Sequence, residues 1–224
     1  MSSGNFDRSE LARRLRSGIA DLALSLTPAG VERLLDYLAL LHKWNRVYNL
    51  TAVRDPARMV TQHLLDSLAA VPAIANARKL LDVGSGGGLP AMVFAIWAQD
   101  NGLPMQISMV DTVAKKTAFL TQAKSELGLE NVSVLTGHVE KLPSNQAYDV
   151  ITSRAFAELA DFVQLAGHLL EEGGSFIALK GTDPADEISR LPSGWKANRV
   201  LALQVPGLDA QRHLVWITRD EVHA

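Results

Sequence analysis

Residues 79–99, KLLDVGSGGGLPAMVFAIWAQ, constrain this chain more than any other stretch. Lys79 to Val83 is a short apolar run broken by Asp82, which suits a strand buried on both faces. Gly84-Ser85-Gly86-Gly87-Gly88 follows at once, and a turn this tight, open to close approach by a ligand, calls for residues without a Cβ. After Leu89-Pro90 comes AMVFAIWA, an apolar helical segment with Pro90 suited to its first turn. Strand, turn and helix together offer unpaired N–H groups and the positive end of a helix dipole to whatever lies on the glycines. The ligand class is nucleotide-like.

Ahead of that stretch the pattern is helical. Leu11, Leu15, Ile19, Leu22 and Leu26 recur every three or four residues and predict a helix over 10–26. Thr27 and Pro28 read as the N-cap and first position of a second helix, with Val31, Leu34, Leu35, Leu38, Leu41 and Trp44 on one stripe. Residues 45–55 form a polar connector, for which Trp44, Asn45 and Asn49 have structural roles. Pro56 opens a third helix reaching about Ala70, with Val60, Leu64, Leu65 and Leu68 turned to a core. Residues 1–76 are thus expected to be a helical cap on a compact unit spanning 77–224.

From Lys79 onward strands alternate with helices: strands at 105–111, 131–136, 148–152 and 175–179, helices at 113–127 and 158–170, and a turn at 171–174. Such alternation builds a parallel sheet with right-handed crossovers. Two last strand-like segments, 199–205 and 213–218, are joined by a link too short for a crossover helix, so they form an antiparallel hairpin.

Composition narrows the chemistry. The chain has no cysteine, which removes disulfides, thiolate metal sites and thiol nucleophiles, and no other metal-ligand set stands out. No signal-like apolar core and no bilayer-length apolar run are visible, so a cytoplasmic protein without membrane partners is expected. The mixed polar surface suggests a monomer. Net charge is −2, yet residues 1–60 hold nine Lys/Arg against six Asp/Glu, a local excess of +3.

Ligands of such sheets bind beyond the carboxyl ends of the strands, where strand order reverses. Asp82, Asp111, and Val139 with Glu140 fall there. Asp111 lies 23 residues past Gly88, suited to two ribose hydroxyls, a requirement shared by NAD and S-adenosylmethionine. The glycines fit the dinucleotide pattern loosely: the third place falls on Leu89 counted from Gly84, or on Ala91 counted from Gly86. An acid at the strand end, Asp82, is more useful beside a sulfonium cation than beside a pyrophosphate. A reversed terminal strand points the same way, by analogy of fold.

The runs LLHKWNRVYNLTAVRDP, QHLLDSL, LLDVGSGGGLP, ITSRAFAEL, ALKG and QVPGLDAQRHLVWI resemble, in this order, the RsmG (GidB) family of bacterial 16S rRNA guanine-N7 methyltransferases. The similarity spans about Leu22 to Thr218. It implies a class I S-adenosylmethionine-dependent methyltransferase: a Rossmann-like, mostly parallel seven-stranded sheet with an antiparallel terminal hairpin, under an N-terminal helical cap. The implied substrate is 16S rRNA or the small ribosomal subunit. Carried over position by position, the cofactor contacts are Gly84, Gly86 and Leu89 in the turn beside Asp82, then Val139, Glu140 and Arg154, with Asp111 on the ribose. His138 stands where relatives carry arginine, which makes any phosphate contact there pH-dependent.

Guanine N7 has an in-plane lone pair and no proton to lose, so its methylation needs alignment rather than a base. No acid–base catalyst is therefore assigned. Arg154 and Lys180 are the candidate substrate-orienting residues, and His63, Phe156, Lys180 and Arg212 the candidate RNA contacts, Phe156 by stacking on a flipped base. His63 and Asp66, one turn apart, are expected to pair or to line the cleft.

Overall fold

The protein is described by a computed structural model covering residues 6–154, 156 and 158–220. Its first helix, α1 (Arg8–Asp21), starts where the Asp7 carboxylate accepts the N–H groups of Ser9 and Glu10. It stops five residues short of the expected Leu26: Ala23 adopts φ +52° and the Leu24 N–H turns back to the Ile19 carbonyl. Helix α2 (Pro28–Tyr48) has the predicted Thr27 cap but runs on through Asn45, ending where Asn49 takes φ +50°. The third helix is interrupted. It comprises α3 (Pro56–Met59), a π-helical turn (Val60–Leu65) and α4 (Asp66–Leu68), followed by a short α5 (Val71–Ile74).

Seven strands follow: β1 (Lys79–Val83), β2 (Gln106–Asp111), β3 (Val132–Thr136), β4 (Tyr148–Ser153), β5 (Leu170–Lys180), β6 (Trp195–Ala202) and β7 (His213–Arg219). They form one sheet in the order β3-β2-β1-β4-β5-β7-β6, with β7 antiparallel to both neighbours. Helices α6 (Ala91–Asp100), α7 (Ala114–Glu126) and α8 (Leu159–Ala166) supply crossovers, and α9 (Ala185–Ser189), absent from the sequence expectation, precedes the hairpin. Strand β5 begins earlier than the predicted 175. Leu170 pairs with Tyr148 and Ser175 with Val150, so residues 171–174 bulge out of a continuous strand, Gly173 at φ +75°.

Each face of the sheet has its own core. On one face Leu15, Leu34, Leu38 and Leu64 of the cap join Phe94 and Ile96 of α6 and Phe119 of α7. On the other, Phe162 and Val163 of α8 pack on Leu81, Ile151 and Phe176. Helix α6 lies between sheet and cap and is buried from Ala91 to Ala98, which is why it reads apolar all round instead of striped. Burying each large side chain there contributes roughly 1.5–3 kcal/mol. The cap is therefore a layer on the sheet. No helix among the described residues is long and apolar enough to cross a membrane. Strand order reverses between β1 and β4, and a crevice opens above them.

Candidate active site at the glycine turn

The turn after β1 is held from behind and open in front. Its first N–H groups, Gly84 and Ser85, both bond the Val110 carbonyl at the end of β2. Gly84 has φ +70°, and a Cβ placed on it would meet nothing within 4 Å, so the space beyond it is free for a ligand. Gly88 is the reverse case: at φ +88° a Cβ would press on Leu120 at 2.9 Å and Met92 at 3.1 Å. The buried Tyr37 hydroxyl donates to the Gly87 carbonyl at 2.6 Å, tying the cap to the turn, and burial raises its pKa.

A cleft of about 450 Å³ opens on the Gly84 side, lined by Val83, Gly84, Asp111, Val139, Glu140 and Phe156 among others. Asp111 accepts the Gly86 N–H through one oxygen and the Val113 N–H through the other, both at 2.9 Å, with Lys116 Nζ at 3.5 Å. A carboxylate has about four acceptor sites, so it keeps capacity for ribose hydroxyls. Thr112, Lys116, Gly137, Asp161 and Leu165 also line the cleft and escaped the sequence reading. The glycine before His138-Val139 was the available signal for one of them. His138 lies 3.3 Å from Glu140 and is exposed on the rim.

Asp82 lies behind the turn. Its neighbours Leu81 and Val83 pack on one face of the sheet, while Asp82 shares the cap side with Leu80. It is 1% exposed, and neither carboxylate oxygen has a hydrogen-bond partner among the described residues. Burial pushes its pKa up to about 7, opposed by the neighbouring Ser85 side chain and by the Arg154 charge, while Asp111 adds to the rise.

Arg154 belongs to a buried polar knot. Its guanidinium donates to the Gln62 carbonyl at 3.2 Å and lies 3.4 Å from one oxygen of Asp66, while Arg212 Nε donates to the other at 2.7 Å. His63 bonds Thr51 Oγ1 at 2.8 Å and the Gln62 carbonyl at 2.9 Å, so His63 and Asp66 each bond elsewhere. Burial, then the Arg154 charge, lowers the His63 pKa to about 4. At 3% exposure it sits inside the protein, not on an RNA-facing surface. Lys180 is likewise engaged: its ammonium pairs with Glu187 at 2.8 Å and donates to the Phe156 carbonyl at 3.2 Å. Lys180 and Arg212, expected as phosphate contacts, are thus each ion-paired within the chain, Arg212 on a carboxylate shared with Arg154. Phe156 stacks on Phe162 with centroids 5.3 Å apart and faces the cleft. Gly86 and Leu89 complete the turn, and Ala155 of the S-R-A-F run lies outside the described residues.

The connector behaves structurally. Asn45 donates to the Val53 carbonyl and accepts the Thr51 N–H, Arg54 donates to Asn49, and Trp44 packs on Phe119 and Tyr48.

A buried acid with no hydrogen-bond donor on its carboxylate among the described residues, an open glycine and an acid fixed beside them fit S-adenosylmethionine, and with this sheet order they define a class I methyltransferase. The fold is shared with TrmN of Thermus thermophilus (TM-score 0.54, 16% identity, covering 98% of this chain and 81% of that one). The chain belongs to the GidB family, described as rRNA small subunit methyltransferase G, whose profile matches residues 30–215. Proteins named Ribosomal RNA small subunit methyltransferase G are 61% identical in Janthinobacterium sp. (strain Marseille), over 96% of this chain and 97% of that one, and 56% identical in Ralstonia nicotianae, over 90% and 92%.

Proposed function

We propose that this protein transfers a methyl group from S-adenosylmethionine to N7 of a guanine in 16S rRNA of the small ribosomal subunit. The observation that carries the reading is the family match over residues 30–215, which contains every residue of the glycine-turn site. When bound, S-adenosylmethionine supplies the methyl group on a sulfonium cation. Asp111, Val139 and Glu140 would hold its nucleoside, Gly84, Gly86 and Leu89 would give its remainder room along the turn, and the charges of Asp82 and Arg154 would act on its charged end.

The protein's task is alignment. Guanine N7 attacks through a lone pair already in the ring plane, so no side chain must remove a proton. The described residues agree with that economy: His63 is buried, neutral at ordinary pH and bonded at both ring nitrogens, and cysteine is absent. Phe156 at the cleft offers an apolar ring against which a base can be seated.

The test is transfer of labelled methyl to small-subunit RNA from cells lacking this protein, with the modified base mapped. Label at one guanine N7 is expected. Gly84→Asp, which puts a charged side chain into the open space at a φ of +70°, should abolish it. Label on protein alone, or on another ring atom, overturns the reading.

A further inference from the structure

The positive excess of the first 60 residues is unevenly used. On α1, Arg8, Arg13, Arg14 and Arg16 pair with Glu10, Glu32 and Asp36. Lys43, Arg46, Arg54 and Arg58, by contrast, are exposed and make no ion pair among the described residues. The sole acid between positions 42 and 58, Asp55, spends its carboxylate on the Arg58 N–H at 2.8 Å, capping α3. Among these cations Val47 is 69% exposed and Tyr48 40%, the Tyr48 ring leaning on Trp44 with centroids 5.0 Å apart.

This segment packs against the back of the glycine turn. A Cβ on Gly87 would meet Leu41 at 3.0 Å and Leu50 at 3.7 Å, so the chain just past Tyr48 lies against the glycine turn. Asn45 and Thr51 hold it there through their bonds to the connector and to His63. Unneutralised cations around an exposed aromatic ring match a phosphate backbone carrying unstacked bases. The cations nearer the centre are engaged within the protein, Lys180 with Glu187 and Arg212 with the Asp66 carboxylate that it shares with Arg154.

We infer that residues 43–58 form the RNA-docking surface, with Lys43, Arg46, Arg54 and Arg58 on phosphates and Tyr48 stacked on an unpaired base. The inference rests on the rRNA reading above and adds where that RNA is held.

The experiment uses the full chain and an unmodified 16S rRNA transcript. Substituting Lys43→Gln, Arg46→Gln, Arg54→Gln and Arg58→Gln together should weaken RNA binding roughly tenfold or more, and flatten the log–log salt dependence by about 0.7–0.9 per lost contact. The KM for RNA should rise with kcat kept, and S-adenosylhomocysteine should bind as before. Tyr48→Ala should weaken binding roughly fivefold without changing the salt slope. Lys79→Gln with Lys124→Gln, at the amino edge of the sheet, should change neither. Wild-type affinity and slope in the fourfold variant overturn the docking surface, and unchanged binding by Tyr48→Ala overturns the stacking. Should the fourfold variant fail to fold, Arg46→Gln and Arg54→Gln singly decide by the same slope. A wild-type protein that methylates no rRNA defeats the underlying reading instead, a result visible without any variant.

Discussion

Asp111 and Asp82 flank one glycine turn and are both buried, yet they are prepared for different partners. Asp111 is 5% exposed, and its two oxygens are held by the N–H groups of Gly86 and Val113. That fixes its direction before any ligand arrives, which suits neutral hydroxyls that reward geometry more than charge. Asp82 has no donor on its carboxylate among the described residues and sits where ionisation is costly. Only a cation turns that cost into attraction. Asp66, with Arg154 on one oxygen and Arg212 on the other, shows what a buried acid looks like when the chain supplies the cations itself. On the proposed reading, the unsatisfied acid suits the charged end of the ligand and the satisfied one its sugar.

The comparison can be broken most severely at Asp111. Asp111→Ala removes a prearranged acceptor and should weaken S-adenosylmethionine binding roughly 100-fold, read by calorimetry. Asp66→Asn leaves two guanidinium groups facing each other. With both arginine side chains about one quarter exposed, the cost should be about 2–3 kcal/mol in urea denaturation, below that of a fully buried pair. Asp82→Asn should lower affinity for S-adenosylmethionine about tenfold at pH 8 and affect the uncharged thioether product less; equal losses would place Asp82 away from the sulfonium.

The smallest effect is in pH dependence. Asp82 has a folded pKa of about 7 against an ordinary 3.8, so the folded chain holds the extra proton and this contribution to stability is lost as pH rises through that window. His63 runs the other way: at about 4 against 6.5, the unfolded chain holds the proton, and stability is lost as pH falls from 6.5 towards 4. The two oppose each other where their windows overlap. Asp82→Asn leaves His63 alone, so its unfolding free energy should fall more steeply on acidification than that of the unaltered protein.

What could be read from the sequence was local. A strand, five residues rich in glycine and an acid one strand later encode their own geometry, because turn chemistry and periodicity act over a few positions. The partner of Arg212 was illegible, since Asp66 lies 146 residues away and only the fold brings them together, whereas Glu187, the partner of Lys180, is close in sequence but sits on α9, which the periodicity did not reveal. The same limit hid the π-helical turn, whose Gln62 carbonyl receives Arg154 from 92 residues away. The extension of α2 past Asn45 turned on one residue, Asn49, adopting a left-handed conformation that its amide side chain tolerates.

Helix α2 presses its Tyr37 hydroxyl on the Gly87 carbonyl and ends in the exposed Tyr48. One helix therefore reaches from the proposed seat of the methyl donor to the proposed RNA surface. Any factor by which RNA bound there changes the donor's affinity must, by thermodynamic reciprocity, be the factor by which the donor changes the affinity for RNA.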